Sequence, residues 1–235
     1  MKDIIEFYGT YDEENRLERH PTEFIVTTFY LDEIIHNSDK ILDVAAGTGI
    51  YALYYAEKGC TVEAMDIVPK HVETLKSKIL GEMELFASVG NALDLHEYED
   101  DFFDVVLNMG PVYHLDFEEV IPCIKESIRV LKSGGKLVIT YVNKFENFRD
   151  DKFMEFFNCY STNEVSDLLS SLDIKIIKHI PSDGMPYQEL EEYIKSDSPS
   201  LHQCHIWLED NLIENDINVV NGKFIHALII AEKNN

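Results

Sequence analysis

Between Ile41 and Val142 short apolar runs alternate with segments of helical composition, and glycines close several of the junctions. Ile41-Leu42-Asp43-Val44 comes first, followed by a helix from Ile50 to Lys58 that Gly59 closes. Thr61 to Asp66 reads as a second strand, and Pro69 to Leu80 as a helix stopped by Gly81. Met83 to Val89 and Phe102 to Leu107 read as strands three and four. Asp116 with Glu119 forms a capping-box pattern before a helix that ends near Leu131, although Pro122 inside it favours a kink or a later start. Gly134-Gly135 then turns the chain into a fifth strand, Lys136 to Val142. Strands joined through helices imply right-handed crossovers and a parallel sheet covered on both faces. The runs are apolar on both sides, as strands buried on both faces require.

The flanks differ. Residues 1–37 read as a helical cap or lid, with helical spacing from Pro21 to about Asn37. Residues 38–143 are the core, and 144–235 continue the sheet. Ser161 and Glu164 open a helix running to about Ser171, Leu172 to Ile180 reads as a strand, and Phe224 to Ala231 as the last one. Residues 181–223 form a helical insertion ahead of that last strand, placed to cover a ligand pocket and set its selectivity. One α/β domain accounts for all 235 residues.

Composition narrows the class. The formal net charge is −24, which repels phosphate backbones and anionic lipid, so neither nucleic acid nor membrane is an expected partner. No stretch approaches the ~18–20 apolar residues of a membrane span, and the N-terminus lacks the apolar core of a signal peptide. A cytoplasmic location is expected. Cys60, Cys123, Cys159 and Cys204 lack C-x-x-C spacing and read as free thiols. His202, Cys204 and His205 have no second ligand cluster, so no metal site is expected.

The loop after the first strand carries the chemistry. A strand-to-helix loop gathers unpaired N–H groups and the positive helix end at one place. Gly47 and Gly49 let a ligand approach that backbone. Gly47-Thr48-Gly49-Ile50-Tyr51-Ala52 also fits a dinucleotide-binding G-x-G-x-x-A pattern, and Asp66, ending the second strand, suits a ribose hydroxyl pair in either setting. These residues indicate an adenosine-bearing ligand without choosing between S-adenosylmethionine (SAM) and a dinucleotide.

Taken together, the pieces resemble the class I SAM-dependent methyltransferase family over about residues 38–143, and more loosely to the C-terminus. Ile41 to Gly49 resembles that family's first motif, Val62 to Ile67 its second, Gly90-Asn91-Ala92-Leu93-Asp94 its adenine-contacting turn and Phe103 to Gly110 its fourth motif. Glu126 to Gly135 resembles the helix and turn into strand five. Gly110-Pro111-Val112-Tyr113-His114-Leu115 resembles a segment of a bacterial small-molecule subgroup, as does Tyr11 to Leu17. Departures are Ala45-Ala46 for a common Gly-Cys, Asn91 where an acid often stands, and Ser133 for a frequent proline.

The resemblance implies a Rossmann-like methyltransferase fold: a doubly wound, mostly parallel seven-stranded sheet with an antiparallel last strand. It implies SAM as cofactor, S-adenosylhomocysteine (SAH) as product and an unidentified small-molecule acceptor, in a monomer or homodimer. Asp43, Ala45, Gly47, Thr48, Gly49, Asp66, Ile67, Asn91, Ala92, Asn108, Met109, Gly110 and Tyr11 are the implied cofactor-binding residues. Tyr113 and His114 follow the fourth strand at the ligand edge and are the candidate catalytic pair, with His114 as general base or substrate orienter. The alternative is that both simply pack at the start of the next helix. Tyr8 and Tyr11 are placed to close over the sulfonium, and Arg16 or Arg19 to pair with the methionyl carboxylate. Other readings are a SAM-binding sensor or partner subunit without methyl transfer, and an NAD(P)-dependent oxidoreductase, for which no hydride-transfer site is visible.

Overall fold

The computed structural model describes residues 2–10, 20–144, 157–211 and 224–235. Tyr11, Arg16 and Arg19 lie outside them. The chain opens with helices α1 (Lys2–Thr10) and α2 (Pro21–Leu31), the second started by Pro21 in its first turn. Then come β1 (Lys40–Asp43), α3 (Ile50–Glu57), β2 (Thr61–Asp66), α4 (Pro69–Lys78) and β3 (Leu85–Val89). The second half of the core runs β4 (Phe103–Asn108), α5 (Pro111–His114), α6 (Phe117–Val130) and β5 (Leu131–Asn143). Beyond it lie β6 (Cys159–Tyr160), α7 (Thr162–Leu169), β7 (Ile174–Pro181), a short 3-10 turn, α8 (Gln188–Asp197), α9 (Leu201–Asn211) and β8 (His226–Lys233).

Among the described residues the strands form one mixed sheet in the order β3-β2-β1-β4-β5-β8-β7, with the two-residue β6 beside the end of β5. β1 pairs in parallel with both β2 and β4, and β4 with β5. β8 runs antiparallel between β5 and β7. The Rossmann-like sheet and its antiparallel last strand agree with the sequence reading. Chain order reverses at β1 and β4, which opens a crevice at their C-terminal ends.

Alternation along the strands supplies two cores. Ile41, Val105, Leu107 and Val138 face a layer holding Ile25, Tyr30, Tyr55, Leu190 and Leu208. Leu42, Val106, Leu137 and Ile139 face Val120, Ile124, Ile128, Val165 and Leu169. The described part of the insertion is therefore built into a sheet face: Leu190, Cys204 and Leu208 are buried in the same core as α2. His205 Nε2 also lies 3.1 Å from the Thr28 hydroxyl and 3.2 Å from the Ile25 carbonyl.

Two local signals hold with adjusted ends. Helix α6 starts at Phe117 behind the Asp116–Glu119 capping box and continues through Pro122 to Val130. Its buried stripe of Val120, Cys123, Ile124 and Ile128 outweighs the missing N–H donor. Helix α7 starts behind Ser161, whose hydroxyl accepts the Glu164 N–H at 3.2 Å while the Ser161 N–H donates to the Glu164 carboxylate at 2.7 Å. The four cysteines are free, and Cys60, Cys123 and Cys204 are buried.

Candidate functional site

The loop after β1 crosses the open end of the sheet. The Val44 N–H donates to the Leu107 carbonyl at 3.0 Å, and the Ala46 N–H to the Met65 carbonyl at 2.9 Å, so the loop is moored to both neighbouring strands. Gly47 and Gly49 have φ of 55° and 86°, a region that favours glycine. Gly49 is the N-cap of α3, and a Cβ there would lie 2.2 Å from Leu75 Cδ1. The Leu53 N–H donates to the Gly49 carbonyl at 2.8 Å as the first bond of α3, so the helix N-terminus, with its positive dipole end, stands at this edge of the sheet.

Asp66 ends β2 beside this loop and is buried. Its Oδ2 accepts the Gly47 N–H at 2.8 Å and its Oδ1 accepts the Val68 N–H at 2.8 Å. His71, one turn into α4, places Nδ1 3.3 Å from Asp66 Oδ1. The His71 ring is buried, and its Nε2 has no hydrogen-bond partner. The sequence reading missed His71; its position five residues after Asp66 was the available signal.

Asp43 is 2% exposed beneath the loop. Burial pushes its pKa up to about 7, and the Asp66 carboxylate pushes the same way, while a hydrogen bond from the Ala45 backbone lowers it. A cation bound in the crevice would restore the ionised form.

Opposite stands the segment after β4. Gly110 adopts φ 153°, and a Cβ there would lie 3.2 Å from the Ala45 Cβ, so the two loops meet across the switch point. Pro111 then starts α5, which ends on His114. Tyr113 and His114 are half-buried, with ring centroids 4.6 Å apart. The Tyr8 hydroxyl lies 2.8 Å from His114 Nε2, and the Tyr8 ring packs edge-on to both His114 and His71, at 5.4 and 5.6 Å. Phe157 stacks on Tyr113 at 5.8 Å and tilts against His114 at 4.7 Å. Tyr8 thus joins the Asp66 wall to the His114 wall. No sequence signal pointed to Phe157.

The remaining residues of the reading flank this crevice. Ile67, Thr48 and Met109 are half-buried, and Ala92 is buried. The Asn91 Oδ1 accepts the Leu93 N–H at 3.0 Å, shaping the turn after β3. The Asn108 side chain faces α6, its Nδ2 donating to the Ser127 hydroxyl at 3.0 Å and to Cys123 Sγ at 3.4 Å. Among the described residues no group of three His, Cys, Asp or Glu side chains is arranged to hold a metal ion. No helix among them is long and apolar enough to cross a membrane.

The sheet order and the similarities of the core together support a SAM-dependent methyltransferase on a Rossmann-like fold, although the chain spans less than half the length of most of the curated relatives it matches. Residues 42–139 match the family model described as a methyltransferase domain. An uncharacterized protein of Methanocaldococcus jannaschii is 26% identical over 168 residues, which cover 66% of this chain and 68% of that one. The uncharacterized methyltransferase YbaJ of Bacillus subtilis is 31% identical over 107 residues, 44% of this chain but only 40% of its own length. A SAM-dependent methyltransferase from Methanosarcina mazei shares the fold, with a TM-score of 0.62 at 18% identity, covering 87% of this chain and 97% of that one.

Proposed function

We propose that this chain moves a methyl group from SAM to a small-molecule acceptor held at the C-terminal edge of the sheet. The observation that carries the reading is the meeting of Gly47 with Asp66 at 2.8 Å beneath the start of α3. It brings an anion seat and a ribose-binding acid to one spot. In this reading Gly47, Thr48, Gly49 and the first turn of α3 take the methionyl carboxylate. Asp43 faces the amino group, with Ala45 beside it, and Asp66 takes the ribose hydroxyls. Ile67, Asn91 and Ala92 flank the adenine. Met109 and Gly110 line the cofactor next to the acceptor, with Asn108 behind them, and Tyr11, outside the described residues, is the contact that the family resemblance implies. A helix N-terminus, a buried carboxylate and half-open aromatic faces fit a zwitterion that also carries a sulfonium.

When bound, SAM supplies a carbon already activated for displacement by its sulfonium leaving group. Positioning is the main task left to the protein. Tyr113, Phe157 and Tyr8 wall the acceptor side and exclude water. His114, steadied by Tyr8, would orient the acceptor or take the proton it loses. The acidic surface turns nucleic acid away, and the protein works as a monomer or homodimer.

Calorimetric titration with SAM, SAH and NADH tests the cofactor, and transfer of labelled methyl groups into fractionated small-molecule extract tests the reaction. SAM and SAH should bind and label should enter the low-mass fraction. Binding of NADH in preference to SAM would overturn the reading. SAM binding with label reaching no acceptor would leave a sensor in its place.

A further inference from the structure

A buried nitrogen beside the glycine loop is left without a partner. His71 stands in the first turn of α4 and, with Val72 and Leu75, makes up the buried residues of that helix. Its side chain is 6% exposed, and it faces Asp66 at the end of β2. Nδ1 lies 3.3 Å from Asp66 Oδ1, and the Tyr8 ring packs edge-on to the imidazole at 5.6 Å. Nε2, across the ring, is buried and has no hydrogen-bond partner.

The acceptors around Asp66 are nearly used up. A carboxylate only accepts, so the proton of the imidazole bond belongs to His71 Nδ1 and the free lone pair to Nε2. Asp66 Oδ1 takes that bond and the Val68 N–H at 2.8 Å, which occupies both of its lone pairs. Oδ2 takes the Gly47 N–H at 2.8 Å and keeps one lone pair. A ribose diol brings two O–H donors to this place. Asp66 has room for one of them, and the other needs a second acceptor close by. His71 Nε2 meets that need, because its ring is bonded to the same carboxylate. As a plain core residue His71 would gain nothing from this arrangement. A lone pair buried without a partner is costly, and a leucine would fill the space without that cost.

Resting on the methyltransferase reading, we propose that His71 is a second ribose ligand of SAM. Its Nε2 accepts one hydroxyl of the diol while Asp66 Oδ2 accepts the other. The Nδ1–H bond to Asp66 sets the tautomer that makes this possible, and the Tyr8 ring packs against the imidazole that makes the contact. The pair offers the diol acceptors alone, so it selects a ribose with both hydroxyls free. A phosphate on either hydroxyl would bring further acceptors and negative charge against a carboxylate. His71 acts in cofactor affinity and not in the methyl transfer itself.

Calorimetry with SAH and its 2′-deoxy and 3′-deoxy forms, on the wild type and on His71→Leu, tests this. In the wild type each missing hydroxyl should weaken binding by about five- to tenfold. His71→Leu should weaken SAH by about as much. In that variant one deoxy penalty should shrink below about twofold while the other persists. A histidine with a merely structural role would leave both penalties as they are in the wild type, and that result overturns the proposal. Long-range nitrogen–proton NMR of histidine-labelled wild type, with His71→Gln assigning the signal, decides the matter even where His71→Leu does not fold. His71 should show the Nδ1–H tautomer. SAH should move its Nε2 signal, and one of the deoxy forms should leave that signal near its ligand-free position. A protonated Nε2, or a signal that SAH and both deoxy forms move equally or not at all, also sinks the proposal. Failure of SAH to bind the wild type removes the methyltransferase reading itself. Intact SAH binding with an unresponsive His71 removes only the second ribose ligand.

Discussion

Asp43→Asn tests the electrostatics of the loop most sharply. The carboxyl is buried, and its pKa rises from 3.8 to about 7 on folding. The folded state therefore holds a proton that the unfolded chain releases, and folding is penalised progressively as pH rises from 3.8 to about 7. Above that pH the penalty is constant, at roughly 4 kcal/mol. Asparagine keeps the shape and the acceptor oxygen for the Ala45 N–H but carries no charge. Its amide must also be desolvated, which offsets about 1–2 kcal/mol. The net expectation at pH 8 is a ligand-free variant more stable by about 2 kcal/mol. Its advantage should shrink by about 2 kcal/mol between pH 8 and about pH 5.5, because the amide cost does not titrate. Urea unfolding at both pH values reads this as a shift in midpoint at constant slope. A stability difference that does not change with pH would refute the assignment of a raised Asp43 pKa. The same group should make wild-type SAM affinity rise by about tenfold from pH 6 to pH 8, as the fraction of ionised Asp43 climbs. In Asp43→Asn that dependence should vanish and binding should weaken throughout.

Gly49→Ala forces a side chain onto φ 86° and within 2.2 Å of Leu75 Cδ1, so about 1–3 kcal/mol of stability should be lost together with SAH binding, both measurable by unfolding and calorimetry. Tyr8→Phe keeps the ring against His71 and His114 but removes the 2.8 Å bond to His114, so kcat/KM should fall by up to about tenfold with SAH affinity little changed. His114→Ala should depress turnover on the true acceptor and spare SAM binding; unchanged turnover would leave His114 a packing residue.

The alternation that defines the sheet was legible because each strand and helix writes its own periodicity into neighbouring residues. Gly47 and Gly49 were legible for a related reason: their backbone angles exclude most other residues. Strand β3 was harder to bound than the others, since Phe86 and Val89 are more than half exposed on an edge, at 55% and 57%. Pro122 misled locally, because α6 draws its stability from the apolar face it buries rather than from one missing donor. The role of the insertion was only half visible: its amphipathic spacing required a packing surface, and the surface turned out to include the sheet face that α2 also covers.

The sequence by itself determined the class of fold, the glycine loop after β1 and the acid at the end of β2. Each of these rests on residues close together in the chain, where backbone geometry and burial leave a local pattern. Tertiary structure alone decided which distant side chains meet. Tyr8 finds His114 across 106 positions, and His226 finds Asp183 across 43. Those contacts depend on strand order and register, which no window of sequence carries. The meeting of α1 with α5 at Tyr8 and His114 therefore emerged only when the sheet closed.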